Sequence, residues 1–318
     1  MENIAVQLPV TEISAPKRAG KRAWRRAERL PGEPRRIAYV YLAIPFLIYA
    51  AFTIVPLVQS FDISFYNWDG ITPGTWVGLA NYKSFFADPV IRGSYLHTLV
   101  LIVFYSFIPT AIGLLLAALL SRMRIHGLTV FRTLLFLPAI LTDVVLAVTW
   151  TWIYDPHGPL NTFLGSIGLG FLRRPWLGDF HFALPAVGVF GAWEEYGFCM
   201  IVFIAGVMKI PTSLYEAARV DGANAWHEFF AVTLPGLRYE LTVVVVLTMI
   251  DALSTFDEVY VMTGGGPGTA TTVPAFEVYN QAFLQGQVGS AAAIGITLML
   301  VVFAVSYGIT KILEPRGE

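Results

Sequence analysis

Charge is what this 318-residue chain has least of: 14% of its residues are Asp, Glu, Lys or Arg, where an ordinary soluble domain carries about 25%. With 56% hydrophobic residues and a mean hydropathy of +0.63, there is too little polar surface to clothe a water-facing globule. That excludes an ordinary soluble domain and points to a membrane protein. Cysteine is nearly missing as well. The single copy, Cys199, sits in an apolar run without a partner, which excludes a disulfide framework and a cysteine metal site and leaves the redox compartment unread. A phosphate-binding loop needs Gly-Lys followed by Ser or Thr; the only Gly-Lys pair here, Gly20-Lys21, is followed by Arg22. His227-Glu228 lacks a second histidine at the spacing of a zinc helix, so a metalloprotease motif is excluded too. The scattered Ser, His and Asp form no recognisable nucleophile arrangement, so no catalytic residue and no metal ligand is assigned. Heptads, fixed-period repeats and low-complexity tracts are also lacking.

What is present is a series of long apolar runs. A bilayer-spanning helix needs about 20 mainly apolar residues, and six runs qualify, near 38–60, 97–120, 131–154, 183–208, 241–263 and 289–312. Nine of the 21 basic residues fall before position 37. That arm is too polar to pack, and although such a stretch can bind nucleic acid, one abutting an apolar span reads as a cytoplasmic anchor. The following run is too long for a signal-peptide core and no small-residue cleavage site closes it. Placing the amino terminus inside puts 17 basic residues on the inner side and four, Lys83, Arg92, Arg173 and Arg174, on the outer side. The positive-inside rule therefore expects both termini in the cytoplasm. The outer connectors, NWDGITPGTWVGLANYKSFFADP and DPHGPLNTFLGSIGLGFLRRPWLGDF, mix Gly, Pro and Asn with Trp and Phe and read as ordered lids at the interface. The expectation is an all-α membrane protein of six transmembrane helices: an arm over 1–36, a first span and external loop over 37–95, and a core over 96–318.

One inner connector, at 209–238, is unlike a plain linker. Ser213 and Glu216 stand at capping-box spacing and predict a helix start. Glu216, Ala217 and Ala218 make a first turn of little bulk; Gly222 permits a bend or a close approach. A second helical piece follows. There Trp226, Phe229, Phe230 and Thr233 recur at helical spacing, expected to grip the chain's own helices, until Leu234 and Pro235 stop it. Small residues on the first piece invite a partner surface, but the residues alone leave an amphipathic interfacial connector equally open.

The pattern E-A-A, three residues, G, nine residues, an aliphatic residue, one residue, L-P is carried by Glu216, Ala217, Ala218, Gly222, Val232, Leu234 and Pro235. It resembles the EAA loop in membrane subunits of bacterial ABC importers, departing only in having Val232 where isoleucine is usual. FDEVYVMTGGGPGTAT, residues 256–271, is similar to the end of the fifth core helix in the sugar-type subfamily, in the first of its two permease subunits. The resemblance covers the chain from about Leu96 onward and implies the type I importer permease fold in a bacterial inner membrane. It implies that the helix from Glu216 to Gly222, Asp221 included, docks on a separate ATPase, which binds the ATP and magnesium while this chain binds no cofactor. The implied partners are a second permease, an ATPase dimer and an external solute-binding protein, beside membrane lipid; nucleic acid is not among them.

Ionisable residues within spans are costly and carry a functional expectation. Asp143, Glu194, Glu195, Asp251 and Glu258 are the candidates, and Asp251, Ser254, Thr255 and Glu258 fall at i, i+3, i+4 and i+7 on one helix face. That stripe expects a cavity, unless its members merely bond neighbouring helices; Asp257, near the outer end, is the weaker candidate. Trp193, Tyr196, Trp150 and Trp152 add flat faces that either stack on sugar rings or belong to aromatic belts, the belt suiting Trp152 best. No Lys or Arg lies deep in a span, which disfavours an anionic solute and favours a sugar or polyol, provided a second subunit does not supply the cations. Gly264, Gly265, Gly266 and Gly268, split by Pro267, end the fifth helix and either frame an external mouth or serve as a plain terminator. A proton-coupled secondary transporter accounts for the carboxylates but leaves the loop from Glu216 to Pro235 without a role.

Overall fold

The computed structural model describes residues 35–122 and 127–313. Most of the basic arm, with Arg124 and Arg316, lies outside the described residues. The chain divides into two units, Met1–Pro56 and Leu57–Glu318. Helix α1 (Tyr39–Ile63) is a candidate membrane span with no residue of its most apolar window buried. A two-residue ladder of β1 (Tyr66–Asn67) with β2 (Thr75–Trp76) pairs Tyr66 with Trp76. The turn between them is tied by Asp69, whose carboxylate accepts the Ile71 and Thr72 amides at 2.9 and 2.7 Å. Those amides hold the Asp69 carboxyl below its usual range.

Helices α2 (Ala80–Ala87) and α3 (Pro89–Ser121) follow. The start of α3 is legible in the sequence: Asp88 caps it by accepting from Val90 N at 2.7 Å, and Pro89 takes the first turn, where no amide is needed. The expected third span is not continuous. It is two helices, α4 (Thr129–Ile140) and α5 (Asp143–Ile153), meeting at 96°. Pro138 opens a tight 3-10 turn and Thr142 is extended, so the helical ladder cannot pass between them.

The connector after α5 holds α6 (Pro159–Ser166) and is fastened by buried Asn161. Its amide donates to the carbonyls of Pro156 and Arg174 at 3.1 and 2.9 Å, while its oxygen accepts from the Trp176 indole at 3.0 Å. Arg174 lies 3.8 Å over the Phe182 ring. This connector is ordered by specific bonds, as its composition suggests.

Helix α7 (Ala183–Val207) is the central span, and α3 packs along it. Glycines set the distance. A Cβ on Gly113 of α3 would lie 2.6 Å from Cys199 Cβ, and one on Gly191 of α7 would lie 2.0 Å from Tyr105 Cζ. Lipid offers apolar surface as good as leucine, so close contact between small residues holds such a seam. Beyond α7 come α8 (Thr212–Val220) and α9 (Ala225–Gly236), then α10 (Arg238–Ser254), which leaves α9 at 72°. A buried hydroxyl pair, Ser106 Oγ and Thr248 Oγ1 at 2.7 Å, joins α3 to α10. The expected fifth span breaks at Thr255 and resumes as α11 (Asp257–Met262); α12 (Pro274–Tyr279) and α13 (Val288–Leu313) complete the chain. Among the described residues four helices are thus long and apolar enough to span a bilayer, or up to six spans if each bent pair counts as one.

Candidate functional site

The polar loop folds as a short helix, a break and a second helix, as its residues predict, but the start differs. Helix α8 begins at Thr212 behind Pro211, with no side-chain cap. The expected Ser213–Glu216 capping box does not form, because Pro211 is extended and opens the helix two residues early, leaving Ser213 inside the first turn. Glu216 is therefore free of a capping role and exposed, with Ala217, Asp221 and Gly222 beside it; Ala218 is half-buried. Gly222 has φ +83°, in the left-handed region that glycine enters without cost. Asn224 then caps α9, accepting from His227 N at 2.9 Å.

Polar contacts clasp the two pieces. Arg219 Nε donates to Glu228 Oε1 at 2.8 Å, and Tyr215 Oη lies 3.1 Å from Thr233 Oγ1. The aromatics do not grip in the way their spacing suggests. Trp226 and Phe230 are 68% and 58% exposed and stack on each other, while Glu228 and Thr233 are the buried positions. A π turn over Phe229–Thr233 shifts the register, so the aromatic face lines an open apolar groove of about 560 Å³ with Leu114, Leu115 and Leu234. The second helix also runs past Pro235 to Gly236 before bending at Leu237. Pro235 lines a separate 630 Å³ recess with Leu214 and Tyr239.

The second assembly is a cavity of about 240 Å³ where α3, α5, α7, α10 and α11 meet. Asp143, Glu194, Glu195, Asp251, Ser254, Thr255 and Glu258, seven of the nine residues expected on a substrate pathway, line it together. Glu194, Thr255 and Glu258 are buried, Glu195 is half-buried, and Asp143, Asp251 and Ser254 are exposed. One continuous helical stripe does not produce this convergence. Thr255 folds its hydroxyl back on the Asp251 and Ala252 carbonyls at 3.0 and 3.1 Å, α10 ends, and Glu258 arrives on α11. Asp143 likewise arrives on the first turn of α5, beyond the 96° break, instead of within a continuous span.

Trp193 and Tyr196 do not line the cavity. Trp193 packs instead into the buried cluster, 5.3 Å from Trp150. Asp257, the weaker candidate, lines the cavity too, and two lining residues escaped the sequence reading: Phe256, and Tyr105, a polar tip inside an apolar stretch beside Ser106. Among the described residues no group of three His, Cys, Asp or Glu side chains is placed to hold a metal ion.

The Gly-rich segment after α11 is a locked turn. Gly264, Gly265 and Gly268 have φ of +58°, +83° and +59°. Thr271 Oγ1 donates to the Gly266 carbonyl at 2.8 Å, and Thr272 Oγ1 to the Gly265 carbonyl at 3.2 Å. Pro267 stands within this turn, and Gly268 faces the ring edge of Phe180.

Apolar spans around a polar chamber define a multi-pass α-helical membrane protein of the transporter kind. The chain belongs to the family of binding-protein-dependent transport system inner membrane components, the permease subunits of ABC importers, whose family model matches residues 110–317. It is 35% identical over 273 residues to the probable ABC transporter permease protein YurN of Bacillus subtilis, covering 85% of this chain and 93% of that one. It is 31% identical to the multiple sugar-binding transport system permease protein MsmF of Streptococcus mutans, covering 84% and 92%. Its fold is that of a subunit in the crystal structure of a bacterial ABC transporter involved in the import of the acidic polysaccharide alginate. That match has a TM-score of 0.78 at 22% identity, covering 94% of this chain and all of the other.

Proposed function

We propose that this chain is one of two permease subunits of an ATP-driven importer for a sugar or polyol, working in a bacterial inner membrane. In this reading both termini and the loop from 209 to 238 are cytoplasmic, and the chain crosses six times, each bent pair making one crossing. Helix α8 docks on an ATPase subunit through Glu216, Ala217, Ala218, Asp221 and Gly222, with the Leu234-Pro235 end of α9 behind it. Closure of an ATPase dimer, which holds ATP and magnesium, then pushes the loop and rocks the spans. An external solute-binding protein delivers solute near the turn from Gly264 to Gly268. The solute passes the cavity between Asp143 and Glu258.

The observation that carries the reading is the clasped loop itself. Arg219–Glu228 and Tyr215–Thr233 fasten α8 to α9, and α9 leads at a fixed bend into α10, which carries Asp251 to the chamber. A push on α8 therefore has a packed route to the solute path. The name of the relative MsmF and the absence of lysine or arginine from the cavity lining among the described residues support a sugar or polyol. The test is co-purification from the native membrane, followed by ATPase assay with candidate sugars and binding protein. An associated ATPase stimulated by one loaded binding protein is the expected result. A chain that purifies alone and takes up solute in response to a proton gradient would be a secondary transporter instead.

A further inference from the structure

The chamber has a composition that a neutral sugar does not need. Six carboxyl groups line it, from Asp143, Glu194, Glu195, Asp251, Asp257 and Glu258, and among the described residues no lysine or arginine joins them. Neutral hydroxyls are met well by amides, hydroxyls, carbonyls and a carboxylate or two. Six carboxyls in one partly closed space repel one another unless they take up protons or positive charge offsets them, and a cation at the site favours the second. A point charge is a poor answer, because among the described residues no three such side chains converge closely enough for a metal ion. The carboxyls are spread around about 240 Å³, which suits positive charge carried on a larger solute with several donors.

Tyr105 is an independent sign that a ligand completes the site. It is 2% exposed and lines the cavity, yet its hydroxyl has no hydrogen-bond partner in the chain. A buried hydroxyl without a partner is destabilising. Nor is the ring free to turn elsewhere, since it lies so close on Gly191 that a Cβ there would fall 2.0 Å from its Cζ. The ring is thus fixed at the wall of the chamber, with its hydroxyl buried and its bonding capacity unused.

We propose that the cavity takes a hydroxylated solute bearing a protonated amine, an amino sugar or amino polyol. Its ammonium sits among the six carboxyl groups, and one of its oxygens meets the Tyr105 hydroxyl. This rests on the permease reading above and narrows the solute class within it. The same six carboxyl groups disfavour an acidic saccharide.

The test uses the whole importer complex in lipid nanodiscs, without binding protein, and equilibrium binding of labelled glucosamine, glucose and N-acetylglucosamine at neutral pH. These probes differ only at the second carbon. Glucosamine is expected to bind at least about tenfold more tightly than the other two, a difference of about 1.4 kcal/mol. Glu195→Gln and Asp251→Asn, each close in shape to the native side chain, should reduce that preference several-fold, and Tyr105→Phe should weaken all three probes alike. Equal binding of glucose and glucosamine, a preference that survives both carboxamide variants, or no binding of any probe would overturn the proposal. Those outcomes leave the permease reading standing, since that reading fails separately if no ATPase accompanies the chain.

Discussion

Replacing Gly222 by valine tests whether the loop must hold its break. Gly222 has φ +83°, and a Cβ built there meets nothing within 4 Å. No neighbouring side chain has to move, so the cost of a substitution is confined to the backbone. Forcing an L residue into the left-handed region costs about 1–2 kcal/mol, with a β-branched residue at the upper end. That lowers the population of the native turn by about 5- to 30-fold relative to its alternatives. If α8 is the element pushed by an ATPase, uptake by the complex should fall by a similar factor, while the spans assemble and melt as in the parent protein. Asparagine tolerates this conformation far better than valine does, so Gly222→Asn should keep most of the uptake. The assay is solute uptake into proteoliposomes containing the whole complex, beside its ATPase rate. Normal coupled uptake in the valine variant would refute the reasoning. Equal impairment of valine and asparagine variants would place the effect in side-chain bulk instead of backbone conformation.

Three further perturbations follow from the packing and the cavity. Gly113→Ala puts a methyl 2.6 Å from Cys199 Cβ; overpacking of this kind costs about 1–3 kcal/mol, so the melting temperature of the purified complex should drop. An unchanged melt would show that α3 and α7 separate freely. Asn161→Ala removes the donor to the Pro156 and Arg174 carbonyls and the acceptor of the Trp176 indole. With about 1–3 kcal/mol lost for each buried group left unpaired, limited proteolysis between 155 and 176 should be faster by tenfold or more; a parental cleavage rate would count against the role given to Asn161. Glu258→Ala, at the buried side of the cavity, should change solute uptake while the ATPase still co-purifies. Parental uptake would remove Glu258 from the pathway.

Apolar length made four spans legible: the runs near 38–60, 97–120, 183–208 and 289–312 correspond to α1, α3, α7 and α13. It hid the bends, because hydropathy is blind to direction. Pro138 and the Thr142-Asp143 pair hold the signal for the break between α4 and α5, yet a proline in a spanning helix is tolerated often enough to pass unremarked. The break at Thr255 has no glycine or proline; its mark is a threonine hydroxyl turned back on the helix, visible only once the backbone is known. Helical spacing placed Glu258 with Asp251, and the grouping holds across two helices, because the end of α10 and the first turn of α11 line the same cavity. Tyr105 was out of reach, since a tyrosine in an apolar run reads as core until its hydroxyl is seen at the cavity without a partner. In the polar loop, the glycine break was legible from chemistry, while the inward face of α9 was misread because the π turn at Phe229–Thr233 moves it.

The central claim, that α8 is the contact with an ATPase, is tested most directly by site-specific cross-linking. The chain's single cysteine, Cys199, is buried, so a Cys199→Ser background carrying Ala217→Cys offers one reactive thiol on the exposed face of α8. A second chain carrying Ile71→Cys, at a position 92% exposed, serves as the distant control. The account predicts an adduct with the ATPase subunit from position 217, with a yield that changes with bound nucleotide, and none from position 71. No adduct from 217 in a complex that contains the ATPase and transports solute, or equal yields from both positions, would contradict it.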